Sequence, residues 1–390
     1  MTACRTRSPQ WISCAETPSM TPTPATFATP FDFACHCLRR RLGFAGLNDR
    51  PRLSYADWPL FVQAAARKQI APLLAALADD RDVAEAFPLE VLDFFQLLRD
   101  ENETRNASFR ADLTEAVRAL NEIGLEPVLL KGAARLVDDS YADPAERFMA
   151  DIDLLVPKAE VERAFVRLVA LGYRPSEEGG RLPQEYHHLD MLLHPGDGPS
   201  IELHRAVCHW RQTRLLSEAG VRERSRPVDL DGARARLMTP VDSILHLIVH
   251  RQIQHRNVAR GTVSLKDVAE LVFLIGQSPS NPLPDVIDNA RRNGAGLATE
   301  TFLAMCEQVL RRRLLPSGHL GAFPRALARR AIWQENHPTA MQFSRVLVHL
   351  SGWLTVFYTF PSTMERFPGR LFERAFYLRR WRAFQHIRQR

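Results

Sequence analysis

The chain has 390 residues, of which 45% are hydrophobic and 25% are charged, the composition of an ordinary globular protein. A chain of this length can form about two or three packed units. The net charge of +6 permits an anionic partner, but the basic residues are scattered, which favours a solvated surface over a nucleic-acid interface without excluding one. The six cysteines have no framework spacing, which argues against a disulfide scaffold and indicates a reducing compartment, the cytoplasm.

Residues 1–30 are rich in Pro, Ser and Thr and lack the continuous apolar segment of a secretory signal. A segment of this composition cannot bury enough apolar surface to order itself. We therefore expect a disordered leader.

Residues 31–122 show helical periodicity. Asp57 precedes Trp58 and Pro59, a typical helix start, and Gly124 follows the last apolar stripe, where a left-handed residue would end a helix. The apolar residues at helical spacing are Leu60, Phe61, Ala64, Leu89, Leu92, Phe95, Leu98, Phe109, Leu113, Val117 and Leu120. We expect a helical region that packs on a central sheet.

A short apolar run, Val128–Leu130, is followed by Gly132 and predicts a buried strand that turns sharply into a helix. Small residues at such a turn let backbone N–H groups point at a phosphate, and Gly132 and Ala133 are the donors here. We expect the helix to span residues 133–139. The charged side chains expected near the phosphate are Lys131 and Arg135.

Residues 151–156, with the sequence DIDLLV, predict a second strand. Because strand side chains alternate between faces, Asp151 and Asp153 lie on one face while Ile152 and Leu154 enter the core. Two like charges on one face repel each other unless a cation lies between them. Mg²⁺ binds one or two carboxylates together with phosphate oxygens, so the pair predicts a Mg²⁺ site.

Residues 186–193 and 201–204 alternate in polarity on either side of a Gly- and Pro-rich turn, which predicts a β-hairpin. Glu202 and His204 share one face of the second strand. If that face also carries the aspartates, Glu202 completes a set of three carboxylates and His204 supports it. The alternatives are a solvated Glu202 near a sheet edge and a His204 that is a hydrogen-bonded structural residue. His188 is either a group that orients a substrate hydroxyl or a carboxylate ligand, or a hydrogen-bonded structural residue.

Three segments carry a resemblance to a known family: LLKGAA at 129–134, RFMADIDLLV at 147–156 and IELHR at 201–205. In this order they resemble the nucleotidyltransferase superfamily that includes polymerase beta-like enzymes, and more narrowly the bacterial group described as uncharacterised nucleotidyltransferases. The resemblance implies an α+β fold, in which a mixed-sheet nucleotidyltransferase core is flanked by helical regions. The implied regions are 31–122 (helical), 123–237 (core) and 238–390 (helical).

The resemblance also implies a reaction, the transfer of a nucleoside monophosphate from a nucleoside triphosphate to a hydroxyl or amine of an acceptor. One or two Mg²⁺ or Mn²⁺ ions would be held by three acids, Asp151, Asp153 and Glu202. Arg147, just before the acidic strand, would contact the triphosphate. The alternative role for Arg147 is a structural one, an ion pair with Glu146 or Asp143 on a surface loop.

One residue departs from the superfamily pattern, because members usually have Ser where this chain has Ala133. Only backbone N–H groups and the charge of Lys131 then remain for phosphate binding. A second hypothesis is therefore a protein that binds nucleotide without transferring it. A third is an RNA- or membrane-associated adaptor, since residues 370–390 mix Arg with aromatic residues, a composition that suits either an anionic membrane surface or a packed last helix.

Beyond Pro240 the pattern is helical to the end of the sequence. His246 and His250 lie one turn apart, but the further ligands of a zinc protease motif are missing. The resemblance implies instead that this helix closes over the nucleotide site, with Lys266 and Asp267 near the same cleft. The apolar residues 346–360 are fewer than the about 20 that span a bilayer and predict a core helix.

Overall fold

A computed structural model describes residues 29–44, 53–54, 57–80, 83, 85–176, 187–209 and 212–350. The described residues form two compact units. The first contains the chain up to Leu247 together with Ser264–Leu283, and the second contains Ile248–Val263 and the chain from Pro284 onward. The predicted leader, apart from its last two residues, and the basic segment 370–390 lie outside the described residues, as does most of the predicted helix 346–360.

A seven-stranded mixed sheet forms the centre of the first unit. Its strands are β1 (Val128–Leu130), β2 (Asp151–Leu155), β3 (Arg174–Pro175), β4 (Leu192–Leu193), β5 (Ser200–His204), β6 (Arg226–Leu230) and β7 (Ala233–Leu237). They lie in the order β3-β4-β5-β2-β1-β7-β6. The β2–β5 and β1–β7 pairs are parallel and the other pairs are antiparallel. The predicted α+β fold with a mixed sheet is confirmed.

The predicted N-terminal helices are present. They are α1 (Pro30–Arg41), α2 (Trp58–Arg67), α3 (Ala71–Leu74), a 3-10 turn (Ala75–Asp79) and α4 (Leu89–Glu122). Five aromatic rings pack between them, with neighbouring ring centroids 4.9 to 6.0 Å apart: Phe33, Trp58, Phe61, Phe87 and Phe95. The second half of α4 lies on the sheet, where Leu113, Val117 and Leu120 are fully buried. Gly124 follows α4 with φ +77°, as predicted for a residue that ends the helix.

The helix after β1 differs from its prediction. It is α5 (Lys131–Arg135), which begins and ends earlier than the predicted 133–139. The cause lies in the residues that follow, because the carboxylate of Asp138 accepts hydrogen bonds from the backbone N–H and the hydroxyl of Ser140, and Asp139 has φ +56°. This side-chain turn competes with further helix and ends it.

The predicted β-hairpin is present but shorter. Only Leu192–Leu193 pairs as strand β4, with Leu192 opposite Ile201 of β5. His188 makes an isolated bridge to His204 rather than extending the strand. A second hairpin, β6–β7, was not predicted. It turns at Asp231 and Gly232, both of which have positive φ, as a two-residue type I′ turn requires.

The remaining helices of the first unit are α6 (Val161–Ala170), α7 (Glu218–Arg224), α8 (Pro240–Ile248), whose last residue lies in the second unit, and α10 (Leu265–Gly276). The apolar face predicted for residues 158–171 is confirmed, because Val161, Ala164 and Leu168 are buried. Two 3-10 turns, Pro144–Glu146 and Lys158–Glu160, flank β2.

The second unit is helical. It contains a π-helical turn (Val249–Gln254), α9 (Asn257–Arg260), α11 (Leu283–Arg292), whose first residue lies in the first unit, α12 (Gly296–Leu310), α13 (Ala322–Glu335) and α14 (Pro338–Leu350). Within the described part of the chain, the helices are all too short or too polar to cross a membrane. The cysteines of the described residues are buried and form no disulfide: Cys35, Cys37, Cys208 and Cys306.

Candidate functional site

Two acidic side chains meet at the centre of the sheet. Strands β2 and β5 are parallel neighbours in a register that places Asp153 opposite Glu202, so both carboxylates lie on the same face. The side chain of Asp153 is 1% exposed and that of Glu202 is 20% exposed. One ligand atom each from Asp153, Glu202 and His204 lies within 4.8 Å of the other two. The predicted meeting of Asp153 with Glu202 is therefore present.

Lys131 places a positive charge between these acids. Its Nζ lies 2.6 Å from Oδ1 of Asp153 and 3.8 Å from Oε2 of Glu202. The lysine directly follows β1, in which Leu130 pairs with Asp153, so the sheet register fixes where the ammonium lies. Burial lowers the pKa of Lys131, but its hydrogen bond to Asp153 and the negative charges of Asp153, Glu202 and Asp151 together raise that pKa above the ordinary value. Lys131 has φ +47°, a conformation that costs a non-glycine residue about 1–2 kcal/mol.

His204 contacts the acids directly. Its Nε2 lies 2.8 Å from Oδ1 of Asp153 and 3.5 Å from Oε2 of Glu202. Burial lowers the pKa of His204, but its hydrogen bonds to the two carboxylates raise it above the ordinary value, so Nε2 donates. Burial raises the pKa of Asp153, and Lys131 and His204 together hold that pKa well below its usual range. His204 is thus a central member of the cluster rather than a distant support.

Asp151 lies two residues before Asp153 on β2 and is partly exposed at the edge of the cluster. Burial, reinforced by the negative charge of Asp153, raises the pKa of Asp151 to about 6, while Lys131 opposes the rise. The third member of the cluster of possible ligand atoms, beside Asp153 and Glu202, is His204 and not Asp151 as predicted. Binding of a metal by Asp151 stays a prediction.

The second oxygen of Asp153 indicates that a cation fits here. Within the described residues, Oδ2 of Asp153 is buried and has no hydrogen-bond partner, although Oδ1 accepts two. A buried carboxylate oxygen without a partner is costly, and a bound cation would satisfy it. The carboxylates of Asp153 and Glu202 suit Mg²⁺, and the nitrogen of His204 makes Mn²⁺ a better match than Mg²⁺ if His204 turns from donor to ligand.

Comparison with known proteins agrees with the geometry. A family model described as "Uncharacterised nucleotidyltransferase" matches residues 54–311, about two thirds of the chain. The chain belongs to this nucleotidyltransferase family. No curated protein matches it. A solved structure of an antigenic nucleotidyltransferase-like protein from Paracoccidioides brasiliensis is 14% identical over 54% of this chain and 95% of that chain, with a TM-score of 0.32. At that score the family assignment rests on the sequence match alone.

The glycine turn that follows β1 is tightly packed. A Cβ on Gly132 would lie 3.0 Å from Cβ of Met149 and 3.2 Å from Nη1 of Arg147, so space rather than backbone conformation requires glycine. Ala133 is fully buried and packs in the apolar core under the sheet. The predicted role of both residues as phosphate donors stays a prediction.

The two arginines predicted to bind nucleotide are buried against acids. Arg135 contacts Asp138 at 2.7 Å, and Arg147 contacts Glu270 of α10 at 2.9 Å. The surface-loop alternative for Arg147 is wrong, because its predicted partners pair elsewhere. Those pairs are Glu146 with Arg41 and Asp143 with Arg99. Phosphate binding by Arg135 or Arg147 stays a prediction.

Three further basic side chains lie near the acids. The ring centroid of His188 lies 5.5 Å from that of His204, and Nδ1 of His188 lies 2.7 Å from the carbonyl oxygen of Leu189. His246, on α8, has its pKa lowered to about 3 by burial and by the positive charges of Lys131 and His204. The third is Arg105 of α4, whose pKa is lowered by burial although the negative charge of Asp151 opposes the shift.

Neither His246 nor Arg105 was predicted to belong to this site. The only local signal for Arg105 was its spacing of four residues from Phe109 on one helix face, which favours contact between the two side chains. His246 lies next to the buried Leu245 on α8 and was considered only as half of a metal pair. The helix α8 itself was predicted to close over the site.

Proposed function

We propose that this protein is a divalent-metal-dependent nucleotidyltransferase of the polymerase beta-like superfamily. The observation that carries the proposal is the pairing of Asp153 with Glu202 on neighbouring parallel strands, with Oδ2 of Asp153 buried and without a hydrogen-bond partner among the described residues. The family to which the chain belongs supports the same reaction class. We also propose a cytoplasmic location, because the cysteines of the described residues are buried and form no disulfide.

In the proposed reaction an oxygen or nitrogen of the acceptor forms a bond to the α-phosphorus of a nucleoside triphosphate. The bond from that phosphorus to the α,β-bridging oxygen breaks, and pyrophosphate leaves. The proton of the acceptor passes to a carboxylate of the site. Asp151 suits this role because it lies partly exposed at the edge of the cluster, whereas Asp153 is buried and already accepts hydrogen bonds from Lys131 and His204.

The other residues position charge. Asp153 and Glu202, with Asp151 at the edge, would hold Mg²⁺ or Mn²⁺, which supplies neutralisation of phosphate charge when bound. Lys131 is protonated and partly exposed, so it can turn its ammonium from Asp153 toward a phosphate oxygen. His204 keeps Asp153 ionised and oriented. Catalysis then comes chiefly from positioning and from electrostatic stabilisation.

The test is transfer of label by the purified protein. The wild-type protein is incubated with labelled nucleoside triphosphates, Mg²⁺ or Mn²⁺ and a cell extract as the source of acceptors, and the labelled product is identified. We expect the Asp151→Asn, Asp153→Asn double variant to lose transfer completely. Asp197→Asn, on the exposed turn between β4 and β5, is the matched control and keeps wild-type activity. Unchanged turnover in the double variant would reject the assignment.

A second candidate is a protein that binds nucleotide without transferring it. Two observations favour it, the alanine at position 133 and the 2.6 Å contact that already neutralises Asp153 with Lys131. Calorimetry distinguishes the two functions. Tight binding of nucleoside triphosphate, combined with no release of pyrophosphate in any extract, supports binding alone, whereas pyrophosphate release rejects it.

A further inference from the structure

Arg105 is held in a fixed position by two aromatic rings. It lies on α4, and its guanidinium carbon is 4.8 Å from the ring centroid of Phe109 and 4.7 Å from that of Phe148. Both distances are within the range of cation–π contacts. The flat guanidinium therefore has little freedom to move, while part of the side chain stays open to solvent.

A pair of asparagines on α4 fixes the second ring. Asn102 donates to the carbonyl oxygens of Ala145 and Arg147 at 2.6 and 3.0 Å. Asn106 donates to the carbonyl oxygens of Pro144 and Arg147 at 2.7 and 2.9 Å. These bonds tie the segment before Phe148 to the same helix face that carries Arg105. Because that segment runs directly into β2, the asparagines also fix Arg105 relative to the acidic strand.

The guanidinium of Arg105 has no acidic partner in contact. The other arginines of α4 each bind an oxygen: Arg99 binds Asp143, Arg110 binds the carbonyl of Leu136, and Arg118 binds the carbonyl of Asp231. Among the described residues, Arg105 makes no hydrogen bond or ion pair. Burial lowers the pKa of Arg105 and the more distant charge of Asp151 raises it, which leaves a partly dehydrated cation near the acids.

The charges of the site indicate which ligand the guanidinium of Arg105 can bind. Asp153 already has two cationic neighbours, Lys131 and His204. A metal held by the acids leaves the outer phosphates of a triphosphate with negative charge still to be neutralised. A guanidinium can bind phosphate oxygens with two parallel hydrogen bonds, and a fixed guanidinium loses little freedom in doing so.

We propose that Arg105 binds the triphosphate of the donor nucleotide, with Phe109 and Phe148 holding its guanidinium ready for the phosphate oxygens. The inference rests on the proposed function, because it assigns a triphosphate to the acidic cluster. It predicts that affinity for the polyphosphate, independent of any base or sugar, depends on the charge and the planar shape of this side chain.

The test is calorimetric titration of the full-length protein with inorganic tripolyphosphate in the presence of Mg²⁺. We expect Arg105→Gln to weaken binding about 10-fold or more, since a hydrogen bond to a charged group contributes about 1.5–3 kcal/mol. Arg105→Lys keeps the charge but loses the planar fork, and we expect an intermediate affinity. Arg118→Gln makes the same substitution at the far end of α4 and should bind as the wild type does.

The outcomes separate the inference from the function on which it rests. Wild-type affinity in Arg105→Gln, with nucleotide transfer present in the wild type, overturns the role of Arg105 and leaves the proposed function standing. No binding of tripolyphosphate and no transfer by the wild type itself rejects both. Arg105→Met still packs between the two rings, so it provides the same measurement if Arg105→Gln fails to fold.

Discussion

The two carboxylate oxygens of Asp153 differ in their hydrogen bonding. Oδ1 accepts from Lys131 and from His204, while Oδ2 is buried with no hydrogen-bond partner in the described part of the chain. Lys131 reaches its carboxylate from a backbone with φ +47°. Strain and an unmet hydrogen bond at one place are common at functional sites, where the surrounding fold enforces them. Both features are therefore more easily explained by ligand binding than by stability.

Asp151 predicts how stability depends on pH. Its folded-state pKa of about 6 exceeds the ordinary value of 3.8, so the folded protein binds the proton more tightly than the unfolded chain does. Ionised Asp151 therefore destabilises the metal-free fold above pH 6, and this penalty disappears as the pH falls from 6 to 4. We expect Asp151→Asn to stabilise the metal-free protein by about 1–3 kcal/mol at pH 7.5 and to have no effect near pH 4.

The measurement is urea unfolding of both proteins in chelator at the two pH values. Asp197→Asn removes a carboxylate from an exposed turn and should change the free energy of unfolding at neither pH. An Asp151→Asn variant that is less stable than the wild type at pH 7.5 would contradict the raised pKa.

The turn between β1 and α5 depends on the lack of a side chain at Gly132. A methyl group there would lie 3.0 Å from Cβ of Met149, an atom close to the backbone that has little room to move. We expect Gly132→Ala to cost about 1–3 kcal/mol in the free energy of unfolding, because an overpacked core must shift to accept it. It should also lower nucleotide transfer, since Arg147 and the start of β2 must move.

Thermal and urea unfolding measure the first effect, and the labelling assay measures the second. The control is Gly196→Ala, where the nearest atom to a new Cβ is 3.6 Å away and belongs to His194. Equal stability of the Gly132→Ala and Gly196→Ala variants would show that the close packing at Gly132 is not limiting.

Local patterns were sufficient to predict the strands that carry the acids. Apolar runs located β1 and β2, and side-chain alternation put Asp153 and Glu202 on the faces opposite the apolar side chains of their strands. The β6–β7 hairpin could have been found from Asp231 and Gly232, a dipeptide typical of two-residue hairpin turns. The length of β4 could not, because the bridge from His188 to His204 depends on tertiary context rather than on polarity.

Contacts between distant residues were the part that the sequence could not provide. The bond of Arg147 to Glu270 joins residues 123 positions apart, and no periodicity connects them. The same holds for Lys131 and Asp153, whose contact follows from the antiparallel register of β1 and β2. The cluster of His204 with two acids likewise requires knowledge that β5 is the neighbour of β2. Strand order is a property of the assembled sheet, so these partners appear only in the structure.

At the scale of the whole molecule, the acidic cluster lies entirely within the first unit, whereas the family match covers residues of both. We expect Mg²⁺ with tripolyphosphate to slow hydrogen exchange in residues 128–155 and 200–204, because ligand binding suppresses local opening. Helices α12 and α13 of the second unit should exchange at unchanged rates. Mass spectrometry of peptides from the full-length protein provides the measurement.

The same exchange experiment on Asp153→Asn is its control and should show no ligand-dependent protection. Protection confined to α12 and α13 would mean that the polyphosphate binds elsewhere.

The ammonium of Lys131 is the counter-ion of Asp153 within the same chain. Because Lys131 neutralises Asp153, the acids do not need a bound divalent ion for the protein to stay folded. We therefore expect a shortage of divalent ions to leave the protein folded but inactive. The proposed nucleotide transfer would then return on addition of divalent ions and substrate, with no refolding step. Lys131 would thus make the stability of the fold independent of the divalent ions that the proposed reaction requires.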